Sequence, residues 1–178
     1  MSRTDPHKKK PRSPQRTLLI VCEGYTEHAF VRHLKETYFS RSNGHIAVQN
    51  AYGGDPSSII KKAEKILASQ AFDRCLLVFD SDRIGKTKIP EKVCRTTVKS
   101  IIPRPCIENL FLRVLNSKSI PRTTDLCKKE FDTKHLKKHK KTEPATYAIL
   151  FPETLLEKKR GAITELDQLI LIIQNCGW

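Results

Sequence analysis

Thr17-Leu18-Leu19-Ile20-Val21-Cys22-Glu23-Gly24-Tyr25-Thr26-Glu27 is the stretch that decides how this chain folds. Residues 17–22 form an almost unbroken apolar run, too short for a helix and rich in β-branched side chains. Such a run reads as a strand covered on both faces, as in a parallel sheet. Glu23-Gly24 ends it with a carboxylate and a residue that tolerates a tight turn. The period then changes. Phe30, Val31, Leu34 and Tyr38 recur near helical spacing, so residues 26–39 are expected as a helix, with Thr26 and Glu27 suited to its start.

Outward from there, residues 45–51 alternate weakly and read as a second strand. Gly53-Gly54-Asp55-Pro56 punctuates the chain, and Pro56 fits the first turn of a helix capped by Asp55. That helix is expected over 57–69, with Ile59, Ile60, Ala63, Ile66 and Leu67 on one face. Residues 74–79 repeat the buried-strand pattern and end on Asp80-Ser81-Asp82. A polar loop over 83–92 leads to a strand within 93–102, closed by Pro103 and Pro105. Ile107, Leu110, Phe111, Val114 and Leu115 then trace one face of a helix. The order β-α-β-α-β-β-α predicts an α/β fold, a mostly parallel sheet flanked by helices. Residues 17–116 are read as its core. Residues 117–178 are lysine-rich as far as Lys141 and then show two helical patterns, 152–159 and 162–173. They are expected as a helical extension packed on that core. Residues 1–16 carry three prolines, Lys8-Lys9-Lys10 and almost nothing apolar. They predict a disordered basic tail, either solubilising or an arm that grips phosphates.

A chain of 178 residues is one domain by length. Its 33 Lys+Arg against 19 Asp+Glu give a net charge of +14, a field that attracts polyanions, so nucleic acid is the expected partner. No apolar run approaches the roughly 20 residues of a membrane span, and residues 1–16 hold no apolar signal core. A cytoplasmic protein without membrane attachment is the expectation. The six cysteines are scattered without a C-x-x-C pair, and Cys22 and Cys75 fall inside predicted strands, so no disulfide framework is read.

The chemistry lies at strand ends. In open α/β sheets functional groups gather at the carboxyl ends of the strands. Here the first strand ends in Glu23-Gly24-Tyr25-Thr26-Glu27 and the third in Asp80-Ser81-Asp82. Clustered carboxylates repel one another and lose hydration unless a cation sits between them, and an all-oxygen set suits Mg²⁺ or Mn²⁺ rather than zinc. Asp80 and Asp82 can converge only if the chain turns at the strand end, because alternate residues of a strand face opposite ways. Each fragment also has a plainer reading: Asp80 as a loop residue, Glu27 as an acid favoured by a helix N-terminus.

The strand LLIVCEG, its E-G-x-x-E continuation and the strand LLVFDSD resemble the TOPRIM fold of topoisomerases, bacterial primases and several nucleases. The E-G-x-T-E form, together with Pro105-Cys106-Ile107-Glu108, resembles the RloB-like proteins specifically. The resemblance covers residues 17–115. It implies a TOPRIM-like, Rossmann-like core and a metal-dependent nuclease hydrolysing phosphodiester bonds in DNA or RNA with Mg²⁺ or Mn²⁺. It also implies bacterial anti-phage defence with an ATPase partner. Residue by residue, it makes Glu23 a proton-transfer group or metal ligand, Asp80 and Asp82 metal ligands, and Glu27 a second catalytic acid. Glu108 would bind metal or its coordinated water, although it also reads as a first-turn acid favoured by the helix dipole. Arg83, Lys86 and Lys88 after the D-x-D, and Lys137 and Lys138 in the basic run, are candidate phosphate contacts. Alternatives are a ribonuclease M5-like RNA-processing enzyme and a nucleic-acid-binding subunit with an inert metal site. At 7% aromatic residues, a base-stacking platform is not indicated. Gly53-Gly54-Asp55 lacks the Walker lysine and the G-x-G-x-x-G spacing, so ATP hydrolysis is not expected within this chain.

Overall fold

The computed structural model describes residues 16–85, 87–117, 120–136 and 139–178. The tail expected over residues 1–16 therefore lies, apart from Arg16, outside the described residues, as do Lys86, Lys137 and Lys138. Strand β1 (Thr17–Cys22) forms where the apolar run requires it, followed by α1 (Tyr25–Tyr38), β2 (His45–Asn50), α2 (Pro56–Ser69) and β3 (Arg74–Val78). A short strand β4 (Lys92–Val93) and β5 (Thr96–Ile101) precede α3 (Ile107–Val114). The sheet runs in the order β2-β1-β3-β5-β4, parallel except for the edge strand β4. The α/β class and the mostly parallel, Rossmann-like sheet are thus as expected.

Side chains alternate across the sheet with period two, and this sorts the core into two layers. Leu19, Val21, Cys75 and Leu77 face α2, whose Ile59, Ala63 and Leu67 cover them. Leu18, Ile20, Leu76 and Val78 face the opposite way, onto Phe30 and Leu34 of α1 and Phe111 of α3. Helices α4 (Thr124–Phe131), α5 (Pro144–Leu150), α6 (Glu153–Arg160) and α7 (Thr164–Gln174) add Phe131, Tyr147, Leu156 and Leu169 to that second layer. Phe111 is its hub, with ring centroids 4.8 Å from Phe30, 5.1 Å from Phe131, 5.4 Å from Tyr147 and 5.1 Å from Phe151. The C-terminal helices therefore share one core with α1 and α3. No helix among the described residues is long and apolar enough to cross a membrane.

Two local differences from the sequence reading have physical causes. The strand expected within 93–102 is present as β5, but a hairpin leads into it: Val93 pairs with Thr96 across Cys94-Arg95, both at positive φ (47° and 69°). That geometry is a two-residue type I′ turn, whose usual signal is Asn-Gly, and neither residue type is present to announce it. Helices α4 and α5 carry little signal in the sequence. In α4 only Cys127 and Phe131 are buried, and α5 spans just seven residues, so neither shows a sustained helical period.

Candidate metal centre

Strand β1 lies between β2 and β3, so the chain leaves it in one direction for β2 and returns on the other side for β3. This is the topological switch point of the sheet, where a crevice opens beyond the carboxyl ends of β1 and β3. The strands end level, with Cys22 opposite Val78. The Glu23 N–H extends the ladder by donating to Val78 O at 2.9 Å, which sets Glu23 beside Asp80. The Asp80 N–H then donates to Glu23 Oε2 at 3.1 Å.

Two helix N-termini complete the site. Glu27 is the third residue of α1, and its Oε2 reaches back to accept the N-cap Gly24 N–H at 3.1 Å. The segment after β5 is tied to the β3 end by Ser81, whose N–H donates to Pro103 O (3.1 Å) and whose hydroxyl donates to Pro105 O (3.2 Å). This brings the start of α3 alongside, so that the Ile107 N–H donates to Asp80 Oδ1 at 2.8 Å. Glu108, the next residue, enters the same crevice.

Four carboxylates are therefore buried together: Glu23 (8% exposed), Glu27 (5%), Asp80 (3%) and Glu108 (2%). Burial, reinforced by Glu27, Glu108 and Glu23, pushes the Asp80 carboxyl up to about 8. Burial pushes Glu27 up to about 7, with Glu108 and Glu23 adding to the rise while backbone N–H groups oppose it. Glu108 Oε2 is buried and has no hydrogen-bond partner. Such an atom costs free energy unless something electropositive meets it.

Two lysines from the C-terminal part face the cluster. Lys128 Nζ of α4 lies 3.9 Å from Asp80 Oδ2, and Lys141 Nζ lies 3.9 Å from Glu108 Oε1 and 2.5 Å from Asp132 Oδ1. Burial draws the Lys128 ammonium down, but Glu108 and Asp80 outweigh it and hold it above its ordinary value. Sequence reasoning missed both as site residues, because nothing distinguishes them among so many lysines until the helices are placed. It also missed Cys106 and Tyr147. Cys106 Sγ, with oxygens of Asp80 and Glu108, forms a set of ligand atoms all within 4.8 Å of one another. Burial and the Glu108 charge raise the Cys106 thiol, and a hard cation such as Mg²⁺ or Mn²⁺ prefers the carboxylate oxygens to its sulfur. Tyr147 is raised by burial and by Glu108 and Glu27.

The chain does turn after Asp80, in a one-turn 3-10 helix (Ser81–Arg83), where Asp82 is exposed and its charge acts on Lys128. Lys88 is exposed. The backbone of Arg83 lies in that turn while its side chain, like Lys86, Lys137 and Lys138, is outside the described residues.

The donor chemistry fits a hard divalent cation. Glu23, Asp80 and Glu108 offer carboxylate oxygens, one of them orphaned, in a cluster whose mutual repulsion a cation would relieve. The RloB-like protein family model matches residues 18–170. The chain belongs to the RloB-like family. The match runs well past residue 115 and takes in α4, α5 and α6, so Lys128 and Lys141 lie within the part that this family shares. No curated protein and no solved structure matches the chain.

Proposed function

We propose that this RloB-like chain is a divalent-metal-dependent nuclease of the TOPRIM type, hydrolysing phosphodiester bonds in DNA or RNA. The observation that carries the reading is the burial of Glu23, Glu27, Asp80 and Glu108 together at the sheet's switch point, with Glu108 Oε2 unpartnered. Stability alone gives no reason to bury four acids in mutual repulsion.

Glu23, Asp80 and Glu108 would hold Mg²⁺ or Mn²⁺, which supplies Lewis-acid polarisation of the phosphate and a nucleophile at neutral pH. The chain's own groups do the remaining work. The Asp80 and Ile107 N–H groups fix the Glu23 and Asp80 carboxylates by direct hydrogen bonds. Glu27, at about 7, has the proton affinity that suits moving a proton near neutral pH. Lys128 is more than a third exposed and faces Asp80, so it can meet a phosphate oxygen and offset the charge that builds there. Lys88 and the +14 net charge support capture of the polyanion. Action in anti-phage defence beside an ATPase belongs to the same proposal, on the family resemblance.

A second reading has one observation in its favour. Lys128 and Lys141 provide internal counter-charges, as an inert site in a nucleic-acid-binding subunit would need. Both lie at 3.9 Å from the cluster and leave Glu108 Oε2 unsatisfied, which favours the catalytic reading. The test is incubation of plasmid, single-stranded DNA and structured RNA with Mg²⁺, Mn²⁺ or EDTA, beside Asp80→Ala. Metal-dependent cutting lost in the variant is expected. Binding without cutting, unchanged in the variant and not rescued by a partner ATPase, would refute it.

A further inference from the structure

Aromatic residues make up only 7% of the chain, which argued against base stacking, but the fold concentrates two of them at one place. Among the described residues the exposed aromatic side chains are Tyr25 (54%) and Tyr52 (69%). They touch edge to face, with ring centroids 5.8 Å apart and planes at 66°. Lys62 of α2 places its Nζ 5.8 Å from the Tyr52 ring centroid.

The pair sits beside the acidic cluster. Tyr25 lies midway in sequence between Glu23 and Glu27. Tyr52 follows β2, and the Gly53 N–H beside it donates to Glu23 O at 2.7 Å. The backbone holds Tyr52 out at some cost. It adopts φ +66°, a region that bulky residues rarely enter, and Asn50 Oδ1 fixes it there by accepting the Tyr52 N–H at 2.7 Å. Gly53 follows at φ +84° with open space around its α-carbon, so glycine's freedom is used next to the tyrosine. A strained backbone that presents a large ring to water, next to a second ring and a cation, has no purpose in the core.

We infer that Tyr25 and Tyr52, flanked by Lys62, form a stacking platform for an unpaired nucleobase, so that the preferred substrate is a single strand, loop or extruded nucleotide. An aromatic face accepts any base, and the lysine complements the adjoining phosphate. Duplex ends its base faces inside the stack and cannot use such a surface. The inference rests on the nucleic-acid reading above and names its substrate class.

The test is equilibrium binding in EDTA, where no cleavage occurs, of fluorescent single-stranded DNA, single-stranded RNA and duplex of equal length. The proteins are wild type, Tyr25→Ala, Tyr52→Ala, Tyr52→Phe and Tyr52→Gly, the last relieving the backbone strain. Each alanine variant, and Tyr52→Gly, should weaken single-strand binding by roughly 5- to 100-fold, the loss of one base stack, and duplex binding by much less. Tyr52→Phe should bind within about twofold of wild type, because the ring and not the hydroxyl carries stacking. A single abasic position should weaken wild type and add nothing further in the matching alanine variant. The DNA and RNA arms decide which strand is bound. Alanine variants that bind like wild type, or that lose duplex and single-strand binding equally, overturn the platform. Cleavage is scored separately: cutting without tyrosine dependence refutes this inference alone, and tyrosine-dependent binding without cutting refutes only the nuclease reading.

Discussion

Replacing Asp80 with asparagine should stabilise the protein in the absence of divalent cations. The Asp80 carboxyl is pushed from its ordinary 3.8 to about 8, by burial first and then by Glu27, Glu108 and Glu23. Each tenfold change in proton affinity is worth ~1.4 kcal/mol, so at pH 7.5 the folded state carries a cost on the order of 5 kcal/mol from this group. Asparagine keeps the shape and can still accept the Ile107 N–H through its oxygen. At that pH the folded carboxyl is mostly protonated, so little charged bonding is lost, and burying the asparagine amide N–H₂ beside Lys128 costs about 2 kcal/mol. The net gain is about 3 kcal/mol, or roughly 6–12 °C in Tm for a chain of this size. The sign with pH follows from the direction of the shift. An acid whose proton affinity rises on folding costs most above its folded value of about 8 and nothing below its ordinary 3.8. Differential scanning calorimetry in EDTA should therefore show Asp80→Asn well above wild type at pH 7.5, with the gap closing towards pH 4. An asparagine variant that melts at or below wild type at pH 7.5 would refute the claim that the cluster is held together in repulsion.

Lys128→Ala should reduce cleavage about 10- to 100-fold while leaving Mn²⁺ binding as tight or tighter, because it removes a phosphate-facing cation and a competitor for Asp80; single-turnover kinetics and metal titration read the two separately. Phe111→Ala removes the hub that joins α1, α3, α4 and α5, and should cost about 3–5 kcal/mol in urea unfolding. A loss under 1 kcal/mol by the usual tolerance for surface changes would show that the C-terminal helices do not share the core. Arg95→Gly should stabilise by about 1 kcal/mol, since the residue sits at φ 69° in the β4–β5 turn; an unchanged urea midpoint would contradict the turn assignment.

What the sequence disclosed tracks how local the signal is. The runs 17–22 and 74–79 carry their own evidence, since short β-branched apolar stretches have few other uses, and both strands lie where they were read. Glu23 and Asp80 were legible because they follow the ends of those strands, and Glu27 because it opens the helix after the first. Glu108 was legible through its proline-cysteine-isoleucine-glutamate context, and the Ser81 bonds to Pro103 and Pro105 show how it is brought in. The turn after Asp80 that convergence with Asp82 requires is present, and it leaves the Asp82 carboxylate exposed. Lys128, Lys141 and Tyr147 depend on long-range packing of weakly patterned helices, and Tyr25 meets Tyr52 only because β2 pairs with β1. No local pattern encodes those meetings.

The most direct test of the metal centre is calorimetric titration of Mn²⁺ into wild type and Glu108→Gln, at pH 6 and pH 8 and in two buffers of different ionisation enthalpy. Wild type should bind more tightly at pH 8 and release protons on binding, because the Asp80 carboxyl, at about 8, must ionise to receive the cation, whose charge also favours ionisation of the neighbouring Glu27. Glu108→Gln, which lacks the charged, unpartnered oxygen, should lose at least about tenfold in affinity. Wild type that takes up no Mn²⁺, or a variant that binds it equally well with the same proton release, would contradict a cation site built on Glu23, Asp80 and Glu108.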